Sequence, residues 1–463
     1  MKKHAYGIPI VLLGFALLAA GCEQSLNGEE PESPELVSLE IIQPPRKTTY
    51  KLREDLDIRG LAVNARYSDF TAAPVPPEEL EISGFDSLVP GEKTLILMAR
   101  GKTVTLTVAV IRGGGVFDAA GTPLFLGGLV SSFRWIRNNY QENGNYTVAA
   151  DGDASLEPQF LTYNDRTVAI TLIGEGSKNP EIQLSRSGSL FWISDGVTLT
   201  LKNITLRGLA DNTDYLVKIQ AQDSERKAKL VMEEGALITG NTGGGVEGDH
   251  GEFIMNGGII SNNVLYPDPG AGYGAGGVLM RSDSVFTLNE GAITDNRIES
   301  INGPDALGGG VTITWESVFT MKGGRISGNA GLMETSATDR KYAWARGGGV
   351  YIVTSDFIME GGIISGNTLS VRNATSITGT ATAWAEGAGV YLFLHDDNYF
   401  TFTGGIIYGA DEPGKDAGGR PLANKCLLAE SGNGEAGVVA GDAIYYSKAG
   451  GTVWYENDTY VPD

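Results

Sequence analysis

A chain of 463 residues has room for two or three independent cores. Its formal charge of −21 provides no basic stripe to offset repulsion from phosphates, so nucleic acid is excluded as the expected partner. Gly 65 against Pro 18 with no triplet period excludes collagen, and a hydrophobic content of 41% decides for packed, turn-rich repeats over disorder.

Lys2 and Lys3 precede an apolar run from Ile8 to Ala20 that is too short to span a bilayer, and small residues come after it. Residues 1–21 therefore read as a signal peptide. The boundary Leu18-Ala19-Ala20-Gly21-Cys22 resembles the bacterial lipobox, with Ala19 where that motif usually carries Leu. The resemblance implies that Cys22 is diacylated and becomes the first mature residue, which gives the two acyl chains that stable anchoring needs. The expected localisation is export, with a lipid anchor on Cys22 holding the protein to a membrane, at the outer membrane or cell surface. Cys426 is the one other cysteine, so no disulfide framework exists, and it is expected to be a small core residue. Residues 22–35 are acidic, contain Pro and have almost no large apolar residue, which predicts a flexible tether.

Between residues 36 and 112 apolar residues alternate at Val37, Leu39 and Ile41, at Leu95, Leu97 and Ala99, and at Val104, Leu106, Val108 and Val110. That period of two predicts half-buried strands. Arg100-Gly101-Lys102 predicts a tight hairpin between the last two runs, and Pro74, Pro76 and Pro77 break the chain elsewhere. Roughly seven short strands in about 75 residues imply a two-sheet β-sandwich. The stretches TTYKLREDLDIRGLAVNARYSDF and ISGFDSLVPGEKTLIL resemble a bacterial Ig-like domain, which implies a spacer or low-specificity binding unit. Residues 113–130 read as a linker, and 131–463 as the second folded unit.

That second unit opens with Ser132 to Tyr140, where Ser132 is a candidate N-cap and Phe133, Ile136 and Tyr140 mark one helical face. A short amphipathic helix here is expected to cover the open first coil of a repeat array. Thr167 to Ile173, Leu190 to Ile193, Val197 to Leu206 and Lys229 to Ile238 are strand-like and irregular. From residue 243 the chain repeats a Gly-rich triplet, a strand, a Phe-led strand, a Gly pair and Ile-Ser/Thr-x-Asn. Phe253, Phe286, Phe319, Phe357 and Phe400 each stand seven residues before Ile260, Ile293, Ile326, Ile364 and Ile407. A spacing that holds while other segments change length predicts residues stacked on their counterparts one coil away, ~4.8 Å along the axis. Asn241, Asn263, Asn296, Asn329 and Asn367 end successive copies and predict a buried hydrogen-bonded ladder, which Ala410 would terminate in the last copy.

The GGGV…FTM.GG.ISGN pattern resembles right-handed parallel β-helix proteins of the pectate-lyase-like superfold, especially surface lipoproteins of diderm bacteria. The expected fold class is all-β: an N-terminal Ig-like β-sandwich, then a right-handed parallel β-helix with a short capping helix. An enzyme of that superfold would gather several Asp with Arg or Lys on one face of neighbouring coils. Acids do recur between the first two strands of each copy: Asp249, Asp283, Glu316, Asp356, Asp396 and Asp397. Their unequal offsets from the next Phe favour solvated turns over a ladder for calcium, the one cofactor they could suggest. His250 and His395 lie several coils apart and read as surface residues.

Between each terminal Asn and the next triplet, segments of increasing length are expected to be loops on one edge: Val264 to Gly274, Arg297 to Leu307, Ala330 to Arg346 and Thr368 to Glu386. Trp344 and Trp384 each stand three residues before a triplet, as a packed pair or as a platform for a sugar ring or protein partner. The leading expectation is a non-catalytic surface lipoprotein that binds a glycan or an extracellular matrix protein through this edge. The alternative is a polysaccharide lyase or glycoside hydrolase.

Overall fold

The computed structural model describes residues 33–461 apart from 165, 177–178, 223–224, 269–271, 337–341, 374–381, 396, 431–437 and 449–451. The segment expected to be a signal peptide, Cys22 and most of the expected tether lie outside the described residues, as does Asp396. Among the described residues no helix is long and apolar enough to cross a membrane. Two compact units make up the chain.

In the Ig-like unit, Leu36–Gln43, Ala62–Tyr67 and Ala72–Pro74 form one antiparallel sheet. Thr49–Lys51, Lys102–Ile111, Gly91–Ala99 and Glu81–Ser83 form the other, in that order. The alternation expected from the sequence sets the faces: Leu95, Leu97 and Ala99 are buried while Ile96 and Met98 are exposed. Arg100 and Gly101 both have positive φ, 50° and 77°, which is the twist a two-residue hairpin requires.

The second unit is a parallel β-helix whose three long sheets hold eleven, nine and ten strands. It begins earlier than the sequence suggested. Residues 113–130 are not a linker, because Gly115–Phe117 and Pro123–Leu126 form a hairpin that joins the edge of the first sheet against Gly144–Ala150. The helix spans Leu129–Asn139 and its N-cap is Gly128, not Ser132. Ser132 lies inside the first turn, with its hydroxyl donating to the Gly128 carbonyl at 3.2 Å. Phe133 and Ile136 do face the core.

The expected ladders form in register. Phe253, Phe286, Phe319 and Phe357 are fully buried, with successive ring centroids at 4.8, 4.8 and 5.0 Å. Phe400 continues the stack at 5.4 Å and is half-buried at its end. The Ile column runs Ile260, Ile293, Ile326, Ile364, Ile407 in the second sheet. A column of valines from Val246 to Val390 does the same in the third. The Gly triplet has two tasks. Its first residue takes positive φ, as at Gly308 with 83°, and its third permits close approach: a Cβ on Gly310 would lie 2.6 Å from the Gly349 carbonyl oxygen.

The Asn ladder extends beyond its expected ends. Asn212 donates to Asn241 one coil before the first predicted member, and Asn367 donates to Asn424 at 2.9 Å one coil after the last. The ladder therefore does not stop at Ala410; the chain makes an excursion and re-enters the column at Asn424. A second polar column went unpredicted. The Gly251, Ser284 and Ser317 amides donate to the hydroxyls of Ser284, Ser317 and Ser355 at 3.0, 3.1 and 3.2 Å, and all three serines are fully buried.

The segments expected to be loops are strands. Val264–Leu265, Arg297–Ile301, Ala330–Thr335, Thr368–Asn373 and Lys425–Glu430 form a fourth parallel sheet. Ala306–Leu307, Tyr342–Arg346, Thr382–Glu386 and Val438–Ala440 form a fifth. Ile298, Met333, Leu369 and Val371 pack with Ala343, Ala345, Ala383 and Ala385 in a core separate from that of the coil. The alanines keep this two-sheet blade thin, since large side chains would hold the sheets apart. Cys426 packs against the same core, and burial pushes its thiol well above the ordinary range.

Candidate functional site: a cleft at the foot of the blade

Inward positions of the third sheet belong to the Val column and its partners, so alternate residues face outward. Coil by coil, the outward column is Phe160, Trp192, Lys218, Glu247, Leu279, Thr312, Tyr351, Tyr391 and Tyr445. The next outward position carries Gln220, Asp249, Arg281, Thr314 and Val353.

Charges meet on the earlier coils. Lys218 Nζ lies 2.8 Å from Asp214 and 3.7 Å from Glu247, while the Arg281 guanidinium lies 3.0 Å from Glu247 and 3.3 Å from Asp249. Trp315, 46% exposed, sits on the adjoining turn with the Arg281 guanidinium 5.9 Å from its ring. Tyr273 meets Trp315 edge-on at 5.9 Å. A cavity of about 220 Å³ opens among Asp214, Lys218, Glu247, Tyr273, Arg281 and Asp305. Its back wall includes Tyr215, whose hydroxyl accepts from the Ala275 amide at 2.9 Å and whose ionisation burial pushes far up.

Further along, aromatic residues close the cleft. Tyr351, Tyr391 and Tyr445 stack at 5.2 Å between successive centroids. Arg346, from the fifth sheet, has its guanidinium 5.1 Å from the Trp344 ring and 5.0 Å from the Tyr391 ring, and its Nε donates to Glu386 at 2.7 Å. Glu386 is only 2% exposed, so this is a buried ion pair clamped between rings.

Trp344 and Trp384 are register partners in the fifth sheet, alternating with the alanines of the blade core, and both are half-buried. Trp344 also stacks on Tyr342 at 5.5 Å. The Trp384 indole N–H is buried and finds no hydrogen-bond partner among the described residues.

The predicted acids occupy different columns. Asp249 is ion-paired with Arg281 and lies 3.0 Å from His250 Nδ1. Asp283 and Glu316 share one left-handed turn position, with φ of 55° and 60°. Asp356 falls in a strand, in register with Val318 and Val285. Asp283, Glu316 and Asp397 line one open groove with His395, a grouping that excludes Asp249 and Asp356. Among the described residues no three His, Cys, Asp or Glu are placed to hold a metal ion.

The mixed cluster of Asp214, Lys218, Glu247 and Arg281 is absent from the sequence expectations, because those rest on repeated inward residues and these four differ from coil to coil. A signal existed: VKIQ, VEGD and VLMR succeed one another at the same strand. Their second and fourth positions place opposite charges one coil apart.

Residues 43–110 match the bacterial Ig-like domain (group 3) family. Over 73 residues the chain is 45% identical to pectate lyase L of Thermoclostridium stercorarium, which covers 16% of this chain and 6% of that protein. The shared stretch is the Ig-like segment, so the chain spans a small part of that relative's length and the cleft lies outside the likeness.

Proposed function

We propose that this protein is an exported lipoprotein, anchored through Cys22, that binds a glycan in the cleft at the foot of the blade without cleaving it. One observation carries this reading: the Tyr273 ring, held edge to face against Trp315, lines one open cavity with the ion-paired Lys218, Glu247 and Arg281. A sugar has apolar C–H faces that stack on aromatic rings and hydroxyls that bond to fixed charged groups, and this wall supplies both. Lining carboxylates at Asp214, Glu247, Asp268 and Asp305 outnumber the cations Lys218 and Arg281, which favours a neutral glycan over a polyanion such as the pectate in the relative's name. Calorimetry of the intact protein with neutral glucans and xylans, and with polygalacturonate, tests this. Saturable binding of a neutral glycan that Tyr273→Ala abolishes is expected; binding of polygalacturonate alone would overturn the reading.

A second reading has its own support. Asp214 and Glu247 both line the cavity and both contact Lys218 Nζ, so two neighbouring carboxylates are at hand for the paired roles that hydrolysis of a glycosidic bond uses. Release of reducing ends, lost in Glu247→Gln, would replace binding with catalysis.

A further inference from the structure

We infer that Phe70, at the turn between Ala62–Tyr67 and Ala72–Pro74 of the Ig-like unit, inserts into the headgroup region of the bilayer that holds the Cys22 anchor; this rests on the reading of the chain as a lipoprotein. Phe70 is 94% exposed, more than any other large apolar residue among the described residues. Its φ of 66° lies in the left-handed region, where a bulky side chain crowds the backbone and Gly is the usual occupant of such a hairpin. Polar groups close the turn without help from the ring. The Phe70 amide donates to the Tyr67 carbonyl at 3.0 Å, and the Thr71 amide and hydroxyl donate to Asp69 Oδ1 at 2.9 and 2.6 Å. The ring therefore strains the turn and gains no packing in return, which points to a contact outside the fold.

Position selects the occupant. The Glu35 amide donates to the Ser68 hydroxyl at 3.0 Å, and the Ser68 amide donates to the Glu35 carbonyl at 2.9 Å. This double bond fixes the turn to the point where the chain from Cys22 enters the sandwich. Only residues 23–34 stand between Cys22 and Glu35, a reach of at most about 45 Å when extended. A lipid on Cys22 then keeps Phe70 near the bilayer surface at an effective concentration on the order of millimolar, so the weak affinity of one ring suffices. A specific protein partner would bury roughly 800 Å² around such an anchor, and here the ring's neighbours Ser68, Asp69, Thr71 and Ala72 are small or polar. The Arg100 guanidinium reaches the same end, donating to the Tyr67 hydroxyl at 2.8 Å, and the exposed Lys102 follows it. Glu35, Asp69 and Glu79 offset these cations, so the contact suits a zwitterionic surface and gains nothing from anionic headgroups.

The test reconstitutes the full-length lipidated protein, and its Phe70→Trp and Leu88→Trp variants, into phosphatidylcholine vesicles that contain brominated lipid. Leu88 is 72% exposed and precedes the strand Gly91–Ala99, whose far end adjoins Arg100, so it stands roughly 30 Å from the Phe70 end. Beyond the emission of the six native tryptophans, Phe70→Trp should add a component that brominated lipid quenches about twofold or more, and Leu88→Trp one that it leaves unquenched. No added quenching in Phe70→Trp, in protein that floats with the vesicles, would overturn the contact and leave the lipid anchor standing. Equal quenching of both variants would overturn it too, since neither end would then be selected. In the unlipidated Cys22→Ser background, Phe70→Trp emission already blue-shifted without vesicles would place the ring against a second protein copy and overturn it likewise. If wild type floats no better than Cys22→Ser, the lipoprotein reading itself falls and takes the contact with it. Phe70→Gly relieves the turn and removes no packing, so its thermal midpoint should equal or exceed that of wild type; a lower one would give the ring a structural role and overturn the inference.

Discussion

Asn329 Nδ2 donates to Asn367 Oδ1 at 3.0 Å on the next coil and to the Ile293 carbonyl at 3.0 Å on the preceding one. Its own Oδ1 accepts from both the backbone and the side-chain amide of Asn296. Each member of the column therefore satisfies buried donors on its neighbours, where no water can substitute. Asn329→Ala strands at least two donors and should cost about 3 kcal/mol in denaturant unfolding. An unchanged midpoint would mean the ladder contributes nothing to stability.

Phe319→Ala removes a fully buried ring stacked on both sides and should destabilise by roughly 3 kcal/mol or more. Phe400→Ala, at the half-buried end of the same stack, should cost less. Comparing the two unfolding midpoints checks the ladder's direction of decreasing support.

Trp384→Phe removes a buried N–H that has no acceptor among the described residues, so it should leave stability unchanged or raise it, whereas Trp384→Ala should lose roughly 2 kcal/mol of packing. If both variants bind glycan normally in their folded fraction, the tryptophan pair of the blade is structural. Loss of binding with an intact thermal midpoint would instead make the blade wall part of the recognition surface.

Burial raises the ionisation of Tyr215, Tyr351 and Tyr391 above the ordinary tyrosine value of about 10. Their neutral forms are favoured in the folded state, so that stabilisation is whole below about pH 10 and is lost as pH rises above it. Tyrosinate absorbance should show a fraction that titrates only as circular dichroism is lost, and Tyr391→Phe should flatten the alkaline fall in stability. Full tyrosine titration in a folded sample would contradict this.

Cys22→Ser should abolish labelling by a fatty-acid probe and release the protein from membranes. Persistent labelling would refute the lipobox assignment.

The inward half of the coil was legible because Phe319 and its counterparts repeat the same residue type at a fixed distance from the same Ile. The blade was not, since Ala343, Ala345, Ala383 and Ala385 lack the hydrophobic contrast that marks a strand. Ser336, within the segment expected to be a loop, instead bonds through its amide and hydroxyl to Asn302, and Tyr342 pairs with Thr382. Asn424 was hidden because its coil lengthens just before it. The cleft was hidden for the opposite reason from the ladders: Lys218, Glu247 and Arg281 act by differing from one another, and repeats are recognised by sameness.

The spacing of the Asn column has a mechanical reading. Its side-chain bonds join residues 29, 22, 33, 33, 38 and 57 positions apart, so the rungs close coils of unequal contour length, longest at the C-terminal end. Tension on the chain ends would load the rungs one at a time, because every bond between coils lies along the axis and none shares the load in shear. Under a pulling force the protein would lengthen in unequal steps, long from the blade end and short from the other, so that a snagged molecule extends gradually before its last coil gives way.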